Sequence, residues 1–118
     1  MQDFKNLKVW QKAHELALFT YEITADFPRE ELFGLRNTLR KTAVDIPANI
    51  AEGTAKPSDA EFSRALSTAL ALGNRLEYYA LMARDLTFLN STLHGEYAER
   101  IIEVRKMLSG FNKRLDDR

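Results

Sequence analysis

The stretch Asp45-Ile-Pro-Ala-Asn-Ile-Ala-Glu-Gly53 has the residue spacing of an amphipathic helix, around which the rest of the fold can be predicted. On a helix its isoleucines, which are four residues apart, share one face, whereas Asp45, Asn49 and Glu52 share another. At ~100° per residue the two stripes lie about 120° apart. We therefore predict an amphipathic helix from about Glu30 to Glu52, which buries its isoleucines and carries a polar stripe beside them.

Two residues interrupt this helical pattern. Gly34 lies in the first turns, where glycine costs about 1 kcal/mol relative to alanine, and we expect close packing against another helix there. Pro47 lacks the N–H that a helix interior requires. Because the apolar spacing continues through Pro47, we predict a bent helix and not a new one.

One helix precedes this segment and two follow it. The first is predicted to begin near Leu7 and to stop at Pro28, because its apolar residues are spaced by four and three. The third follows a capping box formed by Ser58 and Glu61 and runs to about Phe88. The fourth begins after the next capping residue, which is Asn90 or Ser91.

The third helix carries two apolar stripes. One is rich in small residues, which allow another helix to approach closely at Gly73: Phe62, Leu66, Ala69, Gly73, Leu76, Ala80 and Ala83. The other repeats every seven residues: Ala65, Leu72, Tyr79 and Leu86. An isolated bundle usually needs one stripe per helix, so we expect the second to face another subunit.

Four helices with short connections pack most simply as an antiparallel up-down-up-down four-helix bundle. No segment shows the alternation typical of a strand. We therefore predict an all-α fold and one domain over residues 1–118.

The composition limits the possible function classes. Seventeen basic and 17 acidic residues give a net charge of zero, which argues against broad nonspecific nucleic-acid binding. There is no cysteine, and hence no disulfide framework or thiolate chemistry. With no signal-peptide run and no apolar stretch of about 18 residues, we expect a cytoplasmic protein without a membrane partner.

The sequence shows no catalytic or metal-binding constellation. A bundle metal site needs Glu-x-x-His pairs, but neither His14 nor His94 follows a glutamate by three residues. Asp45 and Glu52 are two turns apart, and no substrate pocket is evident around them. We therefore predict a non-enzyme with no cofactor, metal or small-molecule substrate.

Two polar clusters on the second helix are candidate sites. Arg36, Arg40 and Lys41 form a basic cluster that is either a solvated face or a phosphate contact. The Asp45, Asn49 and Glu52 stripe is open to three interpretations. In the first, Lys41 and Asp45 form an ion pair and the other side chains bond to nearby backbone groups. In the second, the stripe lies at a subunit interface or lines a channel. The third, which we rank last, is that the stripe binds a ligand.

Several short runs distributed along the chain form a specific combination: Leu7-Lys-Val-Trp10-Gln-Lys-Ala13, Phe27-Pro28, Glu31-Leu-Phe-Gly34-Leu35, Ile46-Pro-Ala-Asn49-Ile-Ala-Glu52-Gly53 and Glu61-Phe62. In these runs almost the whole chain resembles the four-helix-bundle proteins encoded in intervening sequences of bacterial large-subunit ribosomal RNA genes. Two positions depart from the family pattern: Asp45 and Asn74 stand where serine is frequent.

The resemblance implies a homopentamer with a central channel. It also implies a relationship to accessory proteins of diversity-generating retroelements, which associate with RNA and a reverse transcriptase. Two function classes follow. One is a non-enzymatic oligomer that associates with ribosomal or other structured RNA or a ribonucleoprotein. The other is a protein-binding scaffold without a nucleic-acid partner, which the neutral charge favours.

Overall fold

A computed structural model describes residues 3–116 of the chain. It contains four α-helices: α1 (Lys8–Thr24), α2 (Leu35–Thr54), α3 (Asp59–Asp85) and α4 (Ser91–Asp116). Short 3-10 turns at Phe4–Asn6 and Arg29–Glu31 precede α1 and α2, and the described residues contain no strand. The molecule measures 45 × 22 × 20 Å along its principal axes.

Contacts between the helices show that neighbours run in opposite directions. As the residue number increases along the α1 region, the number of the contacted residue in the α4 region decreases: Lys12 contacts Glu103, Thr20 contacts Tyr97, and Phe27 contacts Phe88. The pairs between α3 and α4 follow the same rule: Phe62 with Phe111, and Glu77 with Arg105. Each helix packs against two others, in the order α1, α2, α3, α4 and back to α1. The predicted all-α four-helix bundle is confirmed, and the pairs between α4 and its two neighbours are those expected for antiparallel packing.

The core runs the length of the bundle and receives side chains from all four helices. Ile46 and Ile50, the isoleucines of the central stretch, are fully buried. So are the small residues of the α3 stripe, including Ala69 and Ala80. Burial of each large aliphatic side chain contributes ~1.5–3 kcal/mol to the stability of the folded state. The residues of the apolar stripes therefore both determine which helix faces meet and stabilise the bundle.

The second stripe of α3 is largely covered within the single chain. Ala65 is buried, and Leu72 and Tyr79 pack partly buried against the core of the same chain. Of this stripe only Leu86, directly after the last residue of the helix, is among the exposed large apolar residues. The other exposed large apolar residues of α3 are Tyr78, Leu81 and Met82, which lie outside the predicted stripe.

The start of α2 also differs from the prediction. Arg29–Glu31 forms a separate 3-10 turn, and Gly34 has non-helical backbone angles of φ −109° and ψ −124°. The Leu35 amide donates a hydrogen bond of 2.7 Å to Glu31 Oε1, so the glutamate caps a helix that begins at Leu35 and not at Glu30. Beyond that point α2 continues through Pro47 without a break, as predicted, and ends at Thr54.

Capping residues set the starts of the last two helices. Ser58 Oγ accepts from the Glu61 amide at 3.2 Å, as the capping box predicts. The cap of α4 is Asn90, whose side-chain oxygen accepts from the Leu93 amide at 2.8 Å. Each cap satisfies an amide that has no partner within its helix.

Candidate functional site

The three predicted basic residues meet in one groove, at the end of the bundle where α1 ends and α2 begins. The groove has a volume of about 340 Å³ and is lined by Tyr21, Leu32, Arg36, Asn37, Arg40, Lys41, Val44 and Asp45. It is called the α1–α2 groove below.

Arg40, which belongs to α2, connects the two helices of the α1–α2 groove by its contacts with α1. Its Nε donates to Thr24 Oγ1 at 2.8 Å and its Nη2 donates to the Tyr21 carbonyl at 3.1 Å. Its guanidinium also lies over the Tyr21 ring, 4.4 Å from the ring centre. These three contacts with α1 make Arg40 a positioning residue that fixes the Tyr21 ring beside the groove.

Tyr21 was not predicted as a site residue, because it lies on the preceding helix, far from the basic cluster in the sequence. It belongs to α1 and is 47% exposed. The only sequence signal for it is its place at the edge of the apolar stripe of the first helix. Only the packing of α1 on α2 brings the ring to the arginines.

Arg36 is the unpaired cation of the α1–α2 groove. Within residues 3–116 it forms no hydrogen bond or ion pair, and its Nε is buried without a partner. A buried donor without an acceptor costs ~1–3 kcal/mol. Burial lowers the pKa of Arg40, and the nearby charge of Arg36 lowers it further, while Tyr21 opposes the shift. The two guanidinium groups therefore repel each other, which an anion in the groove would relieve.

Lys41 has a weak partner at the rim of the groove. Its Nζ lies 3.5 Å from Asp45 Oδ2, and the lysine side chain is 73% exposed. Exposed helical pairs of this kind contribute ~0.3–0.5 kcal/mol. Lys41 can therefore exchange this carboxylate for another anion at little cost.

The polar stripe of α2 does not form one site. Asp45 lies in the α1–α2 groove, whereas Asn49 and Glu52 line a separate groove of about 210 Å³ between α2 and α3. Asn49 Nδ2 donates to the Asp45 carbonyl at 2.8 Å. This bond and the Lys41–Asp45 pair are the local contacts that the first interpretation of the stripe describes.

Glycines mark close contacts, although at Gly34 the close contact is local. A Cβ added to Gly34 would lie 2.8 Å from Oε1 of Glu31, the residue that caps the same helix. A Cβ on Gly73 would lie 2.8 Å from Cγ of Arg105, which belongs to α4. The reason for Gly34 is therefore space for a cap, which corrects the prediction of packing against another helix, whereas Gly73 faces a neighbouring helix.

A third close glycine contact is one that the sequence did not indicate. A Cβ on Gly53 would lie 2.8 Å from Phe62 Cδ1 and 2.9 Å from Ala65 Cβ of α3. Gly53 lies inside α2 and is buried. The sequence placed the end of the helix at about Glu52, just before this glycine, whereas the helix continues to Thr54.

A second groove lies between α3 and α4. It has a volume of about 440 Å³ and is lined by Asn74, Glu77, Tyr78, Leu81, His94, Ala98 and Arg105. Arg105 is ion-paired to Glu77 through its Nη1, so this groove offers less free charge than the α1–α2 groove. The other histidine, His14, stacks on Trp10 with ring centres 4.9 Å apart. No group of three or more His, Asp or Glu residues in the described part of the chain is arranged to bind a metal ion.

The structure is thus a four-helix bundle that has a local basic groove in a chain with equal numbers of basic and acidic residues. Residues 5–110 match the family described as 23S rRNA-intervening sequence protein, and the chain belongs to that family. A search of curated proteins found no match.

The fold is also similar to a solved structure. This is the crystal structure of a protein of unknown function from the S23 ribosomal protein family of Bacteroides thetaiotaomicron. The TM-score is 0.80, the sequence identity is 22%, and the alignment covers 89% of this chain and 98% of that chain. At this identity the similarity concerns the fold. Among residues 3–116, no helix is long and apolar enough to cross a membrane.

Proposed function

We propose that this protein is a non-enzymatic homo-oligomer that associates with RNA through the α1–α2 groove. One observation carries the proposal: Arg36 and Arg40 share a groove, and no described carboxylate pairs with either of them. Planar guanidinium groups are well suited to phosphate oxygens, to which they donate two parallel hydrogen bonds. A phosphate beside Arg36 would accept from its Nη groups, which have no partner among the described residues, and would reduce the repulsion between the two arginines.

The zero net charge of the chain is compatible with this proposal if few phosphates are contacted. Single-strand affinity falls with salt with a slope of about −0.7 for each phosphate neutralised. A site built from Arg36 and Lys41, with Arg40 behind them, neutralises about one to three phosphates on this reasoning. We therefore expect local binding with a shallow salt dependence, in contrast to the steep dependence of a strongly basic protein.

Self-association is supported by the exposed apolar face of α3. Tyr78 is 58% exposed, and Leu81, Met82 and Leu86 share the C-terminal half of the helix with it. Contiguous exposed apolar residues mark interaction surfaces in soluble proteins. We propose that this face contacts another subunit in a closed ring, for which the resemblance noted from the sequence implies five subunits. Asn49 and Glu52 would then lie at the ring margin or line its channel.

A second candidate function is a protein-binding scaffold without RNA. Phe33, in the turn between the first two helices, is 90% exposed, and Leu32 and Val44 in the adjoining groove are exposed as well. Such a surface also suits an apolar protein partner. In that case the two arginines would be covered by protein and would not contact phosphate.

A binding titration with 23S rRNA fragments at several salt concentrations tests the proposal. If the protein binds through phosphate contacts, the affinity falls linearly on a logarithmic scale as salt increases. Absence of binding at low salt would refute the RNA proposal and leave the scaffold. Binding that does not change with salt would refute the role assigned to the arginines.

A further inference from the structure

We propose that the α1–α2 groove binds one unpaired nucleotide of an RNA, with the base stacked on Tyr21 and the phosphate at Arg36. This inference rests on the proposed function and makes it more specific. It names unpaired RNA, in loops, bulges or single strands, as the ligand class in place of RNA duplexes.

The Tyr21 ring is a preformed stacking surface. Arg40 covers one face of the ring at 4.4 Å and is itself fixed by hydrogen bonds to Thr24 and to the Tyr21 carbonyl. Tyr21 is nevertheless 47% exposed and lines the groove, so part of the residue is accessible to a ligand there. Because the ring and the cation are already fixed, little conformational entropy is lost when a base stacks there.

The size and walls of the groove suit one base and its sugar. Its volume of about 340 Å³ is at the small end of the range of ~300–1,000 Å³ for ligand pockets. Leu32 and Val44 add exposed apolar surface to the lining of the groove. Bases inside an RNA duplex are stacked on each other and cannot enter such a groove, whereas splayed bases of unpaired RNA can.

Polar groups for the base edge and the phosphate are present and unused. Asn37 is exposed and lines the groove, and its side chain forms no hydrogen bond within residues 3–116. Its amide can donate to and accept from the edge of a base. The Nη groups of Arg36, one residue earlier in the sequence, have no partner among residues 3–116 and can donate to the phosphate. Lys41, with its weak rim pair, is available for the next phosphate.

The charges of the groove favour a nucleotide over an apolar peptide. An apolar peptide would cover Arg36 and Arg40 without providing an acceptor, and a buried unpaired charge is strongly destabilising. The ring, the amide and the unpaired guanidinium together match the three parts of a nucleotide. A peptide rich in glutamate would match only the charges.

The test compares one RNA sequence in two forms, as a labelled single strand and as a blunt duplex, by fluorescence anisotropy. Stacking on an aromatic side chain contributes ~1–3 kcal/mol per base, which corresponds to about 5- to 150-fold in affinity. We expect the parent protein to prefer the single strand by a factor in that range. We expect Tyr21→Phe, the matched control, to retain the preference and Tyr21→Leu to bind both forms equally.

Asn37→Ala provides a second test that does not depend on the stability of the Tyr21 variants, because Asn37 is exposed. It should weaken binding of the single strand several-fold and leave duplex binding unchanged. An octaglutamate peptide added as competitor should not displace the single strand at equal charge concentration.

The outcomes separate this inference from the proposed function. Equal, salt-dependent binding of both RNA forms by the parent protein would overturn the unpaired-nucleotide site and leave the RNA proposal intact. A preference that survives in both Tyr21→Leu and Asn37→Ala would also overturn the site. Displacement by octaglutamate would show that the groove is a site for acidic peptides. No binding of either RNA form would refute both proposals.

Discussion

The hydroxyl oxygen of Tyr97 lies 2.7 Å from Thr20 Oγ1, in a contact that joins α4 to α1 inside the core. Thr20 donates its own hydroxyl proton to the Leu16 carbonyl at 2.8 Å. Tyr97 must therefore be the donor in the pair. Tyr97 is fully buried, and burial raises its pKa well above the ordinary value, although the bond to Thr20 opposes the shift. The core thus holds a neutral tyrosine in a satisfied hydrogen bond.

Replacement of Tyr97 by phenylalanine should destabilise the protein modestly at neutral pH. The variant loses one hydrogen bond, which is worth ~0.5–1.5 kcal/mol, while Thr20 retains its bond to Leu16. Urea denaturation of parent and variant at pH 7 measures the difference in the free energy of unfolding.

The same variant should behave differently in alkaline solution. Because the folded pKa of Tyr97 is raised, its stabilising contribution is fully present below the unfolded pKa of about 10. It is lost as the pH rises above that value, by up to ~1.4 kcal/mol per pH unit. Tyr97→Phe lacks this loss, so the gap to the parent should shrink and then reverse above about pH 10. A gap that stays constant to pH 11 would contradict the neutral, buried tyrosine.

Alanine at Gly53 and at Gly95 should have opposite effects on stability. At Gly53 the new Cβ would lie 2.8 Å from the Phe62 ring and 2.9 Å from Ala65, whereas at Gly95 no atom lies within 4 Å. Overpacking costs ~1–3 kcal/mol, and an exposed helical glycine-to-alanine change stabilises by up to ~1 kcal/mol. Thermal unfolding of both variants provides the comparison. Stabilisation by Gly53→Ala would show that α2 and α3 are further apart than described here.

Leucine at Gly73 should disturb the contact between α3 and α4. Already the first carbon of a side chain at this position would lie 2.8 Å from Arg105 Cγ, and that arginine is ion-paired to Glu77. We expect a loss of ~1–3 kcal/mol from overpacking. Glu77→Gln is the control, because it removes the ion pair without adding volume. If Gly73→Leu melts at the parent temperature, Gly73 does not lie in a close contact.

Glutamine at Arg36 should weaken RNA binding without a loss of stability, because the arginine has no partner to lose among the described residues. The salt slope should become shallower by up to about one unit. Lys8→Gln is the charge-matched control, because Lys8 is exposed at the start of α1, at the opposite end of the bundle. Equal effects of the two substitutions would show that only total charge matters.

The two remaining basic residues of the groove should respond differently. Arg40→Gln should lower stability as well as binding, because Arg40 bonds to Thr24 and to the Tyr21 carbonyl. The triple variant with glutamine at Arg36, Arg40 and Lys41 should lose most RNA binding and retain its helix content. Circular dichroism and anisotropy on the same samples measure both properties.

Lysine at Leu81 and Met82 should prevent self-association. We expect the parent protein to form a single species several times heavier than 13.5 kDa in light scattering coupled to size exclusion. The double variant should shift to the monomer, because charges placed in an apolar interface are costly to bury. Leu18→Lys is the control, since Leu18 is exposed on α1, which is not a neighbour of α3. A parent protein that stays at 13.5 kDa as its concentration rises would refute the ring.

The family and the fold could be predicted because their signals are local in the sequence. Helical stripes, the Ser58 cap and the continuation of α2 through Pro47 each depend on residues within about four positions of each other. The basic cluster was found for the same reason. The start of α2 was placed too early because the Glu31 cap depends on the conformation of Gly34, which spacing does not encode.

By itself, the sequence determined the class of fold, the order of the helices and the residues that enter the core, because periodicity within one helix decides which face is apolar. Only the tertiary structure decided what meets across helices: Tyr21 beside the arginines, Gly53 against Phe62, and Tyr97 on Thr20. These distances depend on how each helix is rotated about its axis and how deeply it packs. Both are set by the fit of many side chains at once.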